Sequence, residues 1–120
     1  VSVGFSAGQR LVESGAENIG FIGVNSQDIA VDQCRFQGLT HYLQHSKQRT
    51  ALFHSRGEFS IESGYQQTKQ LLLDWPQLDG LFCATDRIAI GAMKAIAESK
   101  KVSGKDIKVL GVGNDELSQV

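Results

Sequence analysis

Several polar or planar side chains stand directly after apolar runs in this sequence. Residues 25–28 follow NIGFIGV, and residues 55–59 follow the short run TALFH. Thr85 and Asp86 follow LDGLFCA, and residues 113–115 follow IKVLGV. Arg35 stands about one turn into a helical pattern that begins at Ile29, so it can point back toward the edge that carries Asn25. Together Arg35, Phe59, Thr85, Asp86, Asn25 and Asn114 supply a guanidinium, an aromatic ring, a hydroxyl, a carboxylate and amides. Planar polar groups make paired hydrogen bonds to neighbouring hydroxyls, and an aromatic face covers the apolar C–H side of a ring, so this set suits a sugar. The plainer alternative is that polar residues at such positions cap helices and meet water. Thr85 and Asp86 are both able to cap by accepting from a first-turn N–H.

The elements that would position these groups follow from periodicity. Residues 5–14 read as a helix ended by Gly15 as a C′ glycine. Residues 18–24 read as a strand, and residues 29–45 as a helix with Val31, Phe36, Leu39, Tyr42 and Leu43 near helical spacing. Residues 50–54 form a short predicted strand and residues 56–59 a predicted loop. Ser60 opens the next helix, with Glu62 in its first turn to suit the dipole. Residues 78–84 have the mostly apolar pattern of a strand covered on both faces. The helix over residues 87–100 is apolar almost all round, through Ile88, Ala89, Ile90, Ala92, Met93, Ala95, Ile96 and Ala97. A helix on a sheet needs one apolar stripe, so a second buried face implies a further partner, here a second copy of the chain. The last predicted strand covers residues 107–112, and a loop follows it.

This alternation predicts one α/β domain over residues 1–120: an open parallel sheet with helices on both faces, of flavodoxin-like or Rossmann-like type. In such sheets ligands bind beyond the carboxyl ends of the strands, near the point where strand order reverses. That rule selects the polar stretches named above.

Composition narrows the classes further. The chain has 120 residues, 41% hydrophobic, with 12 basic and 13 acidic side chains and a net charge of -1. A basic face for a nucleic-acid duplex is missing, so this segment is not expected to bind DNA by itself. No apolar run reaches the roughly 18 to 20 residues that span a bilayer. Cys34 and Cys83 lack metal-motif spacing and read as two free, core-like thiols of a reducing compartment. The chain begins at Val1 and ends just after a strand, which reads as a piece of a longer protein. Gly111-Val112-Gly113 starts a dinucleotide-type motif, but Glu116 stands where its third glycine belongs. His41 and His45 are four apart on one predicted helix without a third ligand, which reads as solvated helix rather than metal. Asp86 lacks a partner acid or nucleophile for base catalysis, and Trp75 precedes its strand, at the opposite edge, where it reads as packing. The expectation is a protein without catalysis, metal or cofactor.

The segments ENIGFIGV, RFQGLTHYL, FSIESGYQQTKQLL, LFCATDRIAIGAMKAIAES and DIKVLGVGNDEL together resemble the lactose-repressor family of bacterial transcriptional regulators. The resemblance covers nearly the whole chain in order. It implies the C-terminal lobe of a two-lobed, periplasmic-binding-protein-like effector core, with the other lobe and a DNA-binding headpiece absent from this segment. It implies a cytoplasmic repressor that meets operator DNA only through that headpiece, forms a homodimer, takes a sugar or sugar phosphate effector and has no membrane contact. By the same resemblance Arg35 grips sugar hydroxyls and Phe59 covers the sugar. Thr85-Asp86 stands where the family often has Asn-Asp, and Gly113-Asn114 stands where the family commonly has a sugar-binding carboxylate. This Val-Gly-Asn-Asp variant resembles regulators of sucrose, fructose or trehalose use. The family's dimer-forming helix matches residues 87–99, which points to Ile90, Met93, Lys94 and Ala97 as interface residues. A periplasmic sugar-binding component of a transporter is the alternative, with the same fold and chemistry but no use for a second apolar helix face.

Overall fold

The computed structural model describes residues 3–24, 29–46, 50–101, 106–114 and 116–119. Helices and strands alternate as α1 (Val3–Glu13), β1 (Asn18–Val24), α2 (Ile29–His45), β2 (Ala51–Gly57), α3 (Ile61–Asp74), β3 (Gly80–Cys83), α4 (Asp86–Glu98) and β4 (Lys108–Gly113), followed by β5 (Glu116–Gln119). Local chemistry sets several boundaries. Gly15 takes φ +99 after α1, and the N–H groups of Gly15 and Ala16 donate to the carbonyls of Val12 and Leu11, each at 3.0 Å. This is the glycine-ended helix terminus that Gly15 predicts. Ser60 is extended, and its hydroxyl accepts from the Ser63 N–H at 2.9 Å to start α3.

The sheet order is β2-β1-β3-β4-β5, with β1, β2, β3 and β4 mutually parallel. β1 and β3 are central and read as unbroken apolar runs because helices cover both of their faces. The chain steps from β1 to β2 in one direction and from β2 to β3 in the other. With right-handed crossovers this puts α2 on one face and α3 on the other, and α4 on the same face as α3. Accordingly α1 packs on α2, and α3 packs on α4. Phe21 and Phe82 lie at the centre of the core, with ring centroids 5.5 Å apart, and Phe36 tilts against Phe21 at 5.3 Å.

Both helix pairs approach through glycine. A Cβ on Gly4 would lie 1.9 Å from the Arg35 carbonyl oxygen. On the opposite face, a Cβ on Gly64 would lie 2.3 Å from the Ile88 carbonyl oxygen, and one on Gly91 would lie 2.0 Å from that of Ile61. Only backbone fits at these contacts.

The structure corrects three expectations. Arg56 and Gly57 are strand residues, in register with Gly23 and Val24, not a loop. β2 is an edge strand carrying Ser55 and Arg56, so its end lacks the apolar signature of its neighbours. The sheet is also not wholly parallel: at residues 116–119, β5 pairs antiparallel with β4, and the sheet is mixed. Its sequence ELSQ holds one apolar residue, Leu117, which is too little to register as a strand. Cys34 is exposed on α2 rather than core-like. Cys83 is fully buried, and burial, with the Asp86 charge as a lesser cause, pushes its thiol well above its ordinary range.

Candidate functional site

The reversal of strand order falls between β1 and β3, so the carboxyl ends of these strands form the natural crevice. Ile22 pairs with Cys83, and the Ala84 N–H donates to the Ile22 carbonyl at 2.9 Å. Arg35 reaches this point from α2: its Nη1 donates to the Ala84 carbonyl at 2.6 Å. The guanidinium that spacing places at the sheet edge therefore sits beside the Thr85-Asp86 turn.

In that turn Thr85 is the extended N-cap of α4, and its hydroxyl accepts from the Ile88 N–H at 3.2 Å. Asp86 is the first residue of the helix. Its carboxylate faces β4 and β5, where it accepts a hydrogen bond from the Ser118 hydroxyl. It fills space that glycine leaves open: a Cβ on Gly113 would lie 2.2 Å from Asp86 Oδ2, and one on Gly111 2.6 Å from Oδ1. Gly111 and Gly113 thus make room for a carboxylate on the helix rather than supplying a group of their own. Asn114 is exposed and takes φ 53, the left-handed conformation that asparagine tolerates, in the tight turn into β5. Asn25 lies outside the described residues.

On the β1–β2 side, the principal polar pair was not legible in the sequence. Asp32, 1% exposed, accepts from the Val24 N–H at 3.0 Å and from Arg56 Nε at 2.8 Å. Its carboxylate lies over Gly23, where a Cβ would come within 2.7 Å of both oxygens. The Arg56 guanidinium stands 5.4 Å from the centre of the Phe36 ring. The signals that could have found the pair are an acidic residue in the first turn of α2 and a glycine opposite it on β1.

Phe59 is 53% exposed in the loop after β2, with the Arg87 guanidinium 6.0 Å from its ring centre. Further along α4, Ile90 is 52% exposed, Lys94 and Ala97 are exposed, and Met93 is half-buried. Beside them Tyr65 donates to Glu98, and the Lys94 and Lys69 amines stand 5.0 and 5.7 Å from its ring centre. Hydrogen bonding to Glu98 is the leading cause that raises the Tyr65 phenol above its ordinary value. Away from the crevice, Trp75 stacks on Phe53 at 4.4 Å, as packing requires. His45 bonds through Nδ1 to the His41 carbonyl, and among the described residues no three or more His, Cys, Asp or Glu gather as a metal site. No helix among them is long and apolar enough to cross a membrane.

A sequence model described as the periplasmic binding protein-like domain matches residues 9–120. The chain belongs to this family. The HTH-type transcriptional repressor PurR of Mannheimia succiniciproducens is 30% identical over 117 residues, covering 97% of this chain and 35% of that protein. The lactose operon repressor of Escherichia coli is 32% identical over 110 residues, covering 92% of this chain and 30% of its own length. Among solved structures, the lac repressor bound to ONPG in the repressed state superposes with a TM-score of 0.82 at 30% identity, covering 94% of this chain and 34% of that one. This periplasmic-binding-protein-like chain is thus similar to regulators of the lactose-repressor type, and it spans about a third of the length of the curated relatives it matches. Those relatives are transcriptional repressors rather than enzymes.

Proposed function

We propose that this chain is the effector-binding and dimer-forming part of a bacterial sugar-responsive transcriptional repressor. It would be part of the C-terminal lobe of a two-lobed effector core. The observation that carries the reading is the Arg35 guanidinium, fixed on the Ala84 carbonyl at the crevice between β1 and β3. Phe59 supplies an exposed ring at the end of β2. Thr85, Asp86 and Asn114, each within one turn or loop of a strand end, join the proposed contact set, as does Asn25, which follows β1 in the sequence. Its relationship to the lactose operon repressor supports a sugar or sugar phosphate as effector.

The action is a population shift. An effector held between two lobes stabilises one hinge angle, and a difference in affinity for the two states of ~1–3 kcal/mol is sufficient coupling. No covalent bond changes, so the chain is not an enzyme and needs no cofactor. Operator DNA is met by a headpiece elsewhere in the parent protein, which works in the cytoplasm. The exposed face of α4, with Ile90, Met93, Lys94 and Ala97, forms the homodimer contact. Sugars of the sucrose, fructose and trehalose group are the first to test.

The test is operator binding by the full-length protein against a sugar panel, with Arg35→Ala beside the native protein. One sugar is expected to shift operator affinity, and the variant is expected to need at least about tenfold more of it, the worth of one charge-assisted hydrogen bond. An unchanged sugar response in Arg35→Ala would remove the reading.

A further inference from the structure

We propose that Arg56 is the residue that selects the effector, and that it selects a sugar carrying an anionic group, a phosphate ester or a carboxylate. This deepens the sugar-effector reading and rests on it. Three observations converge on it. First, Arg56 is in register with Gly23 on β1, and Ala84, which holds Arg35, follows the partner of Ile22 on β3. Arg56 and Ala84 thus flank Gly23 across the crevice, and two guanidinium groups serve one edge. Second, Arg56 is oriented before any ligand arrives. Asp32 holds its Nε, Phe36 lies beside its plane, and its side chain is 26% exposed. A guanidinium has five N–H donors, and only the one on Nε meets an acceptor among the described residues. The other N–H groups of a guanidinium form paired donors of the geometry that carboxylate and phosphate match.

Third, the two described carboxylates on the first turns of α2 and α4 already accept hydrogen bonds from the protein. The Asp32 carboxylate serves Val24 and Arg56, and that of Asp86 serves Ser118. Gly113 offers no side chain. Glu58 is the remaining described carboxylate near the end of β2, and Arg87 beside Phe59 adds a third guanidinium. Each hydroxyl of a neutral sugar brings one O–H donor that needs an acceptor at the edge, whereas a phosphate or carboxylate oxygen brings acceptors alone. Three guanidinium groups near this edge, among the described residues, favour a ligand that brings acceptor oxygens and negative charge.

The experiment is calorimetry on the full-length protein. The panel holds hexoses, sucrose and trehalose, each beside a phosphorylated or carboxylated counterpart, with inorganic phosphate added alone. An anionic sugar is expected to bind at least about tenfold more tightly than its neutral parent. That preference is expected to collapse in Arg56→Gln and equally in the double variant Asp32→Asn, Arg56→Gln, which leaves no unpaired buried carboxylate and so separates ligand selection from folding. Preference for the phosphate ester or for the uronate tells the two anionic groups apart, and either supports the assignment. A neutral sugar binding as tightly as its anionic counterpart overturns it while leaving the sugar-effector reading intact. An anionic preference unchanged in both variants overturns the role of Arg56. Failure of every sugar to bind overturns the sugar-effector reading and this inference with it.

Discussion

The two halves of the carboxyl edge solve the same problem in opposite ways. Each places a carboxylate on the first turn of a helix, over a glycine on the adjacent strand: Asp32 over Gly23, and Asp86 over Gly111 and Gly113. On the β3–β4 side the arrangement closes on itself. Thr85 caps its own helix, and Asp86 is met by the Ser118 hydroxyl. On the β1–β2 side the carboxylate is met instead by a guanidinium, through Nε, on a side chain that keeps partial exposure. A hydroxyl partner completes a local network, whereas an arginine partner has further N–H donors beyond the one it spends on the carboxylate. The same helix-over-glycine device thus ends on a hydroxyl in one half and on a guanidinium in the other.

The comparison can be broken at Asp32, where the largest effect is expected. Asp32→Ala leaves the Val24 N–H and the inner side of Arg56 without their acceptor. Breaking a buried pair from one side costs about 3–5 kcal/mol, and the partial exposure of Arg56 lowers the expectation to about 2–3 kcal/mol. Chemical denaturation of the parent protein reads this directly, and a loss below about 1 kcal/mol would mean that Arg56 is not anchored by the pair. On the other side, Gly113→Ala drives a methyl into Asp86 and is expected to cost about 1–3 kcal/mol, with Ser118→Ala costing about 1 kcal/mol. Stabilities equal to the native protein in both variants would deny the closed network. The smallest effect sharpens the contrast. Thr85→Ala is expected to lose about 1 kcal/mol, whereas Thr85→Asn keeps a capping oxygen and is expected to stay within a few tenths of a kcal/mol. Thermal unfolding of the two variants side by side distinguishes a cap from a residue held for other reasons.

Much of the fold was legible because its signals are local. β1 and the span of α2 follow from an apolar run and a helical period, and Gly15, Ser60 and Thr85 mark termini through their own backbone chemistry. The end of β2 and all of β5 escaped because edge strands carry polar residues that are paired only through a neighbour. The site divided in the same manner. Arg35 and Thr85 follow from strand ends and capping. Asp32 and Arg56 are 24 residues apart, and Asp86 and Ser118 are 32 apart. Such partners meet only once strand order and register are known. Asp86 was legible as an edge carboxylate, but its direction toward β5 was not, because β5 itself was not.

The glycine contacts between α3 and α4 have a consequence for motion. They lie close to the starts of both helices, where Gly64 meets Ile88 and Gly91 meets Ile61. Just before those starts stand Phe59 and Thr85. With backbone seated on backbone, the two helix entries are closely packed, and sliding one along the other would bring side chains into space that only glycine leaves. The aromatic loop and the capped turn therefore stand on one closely seated helix pair, whose second member carries Ile90 and Lys94 on its exposed surface.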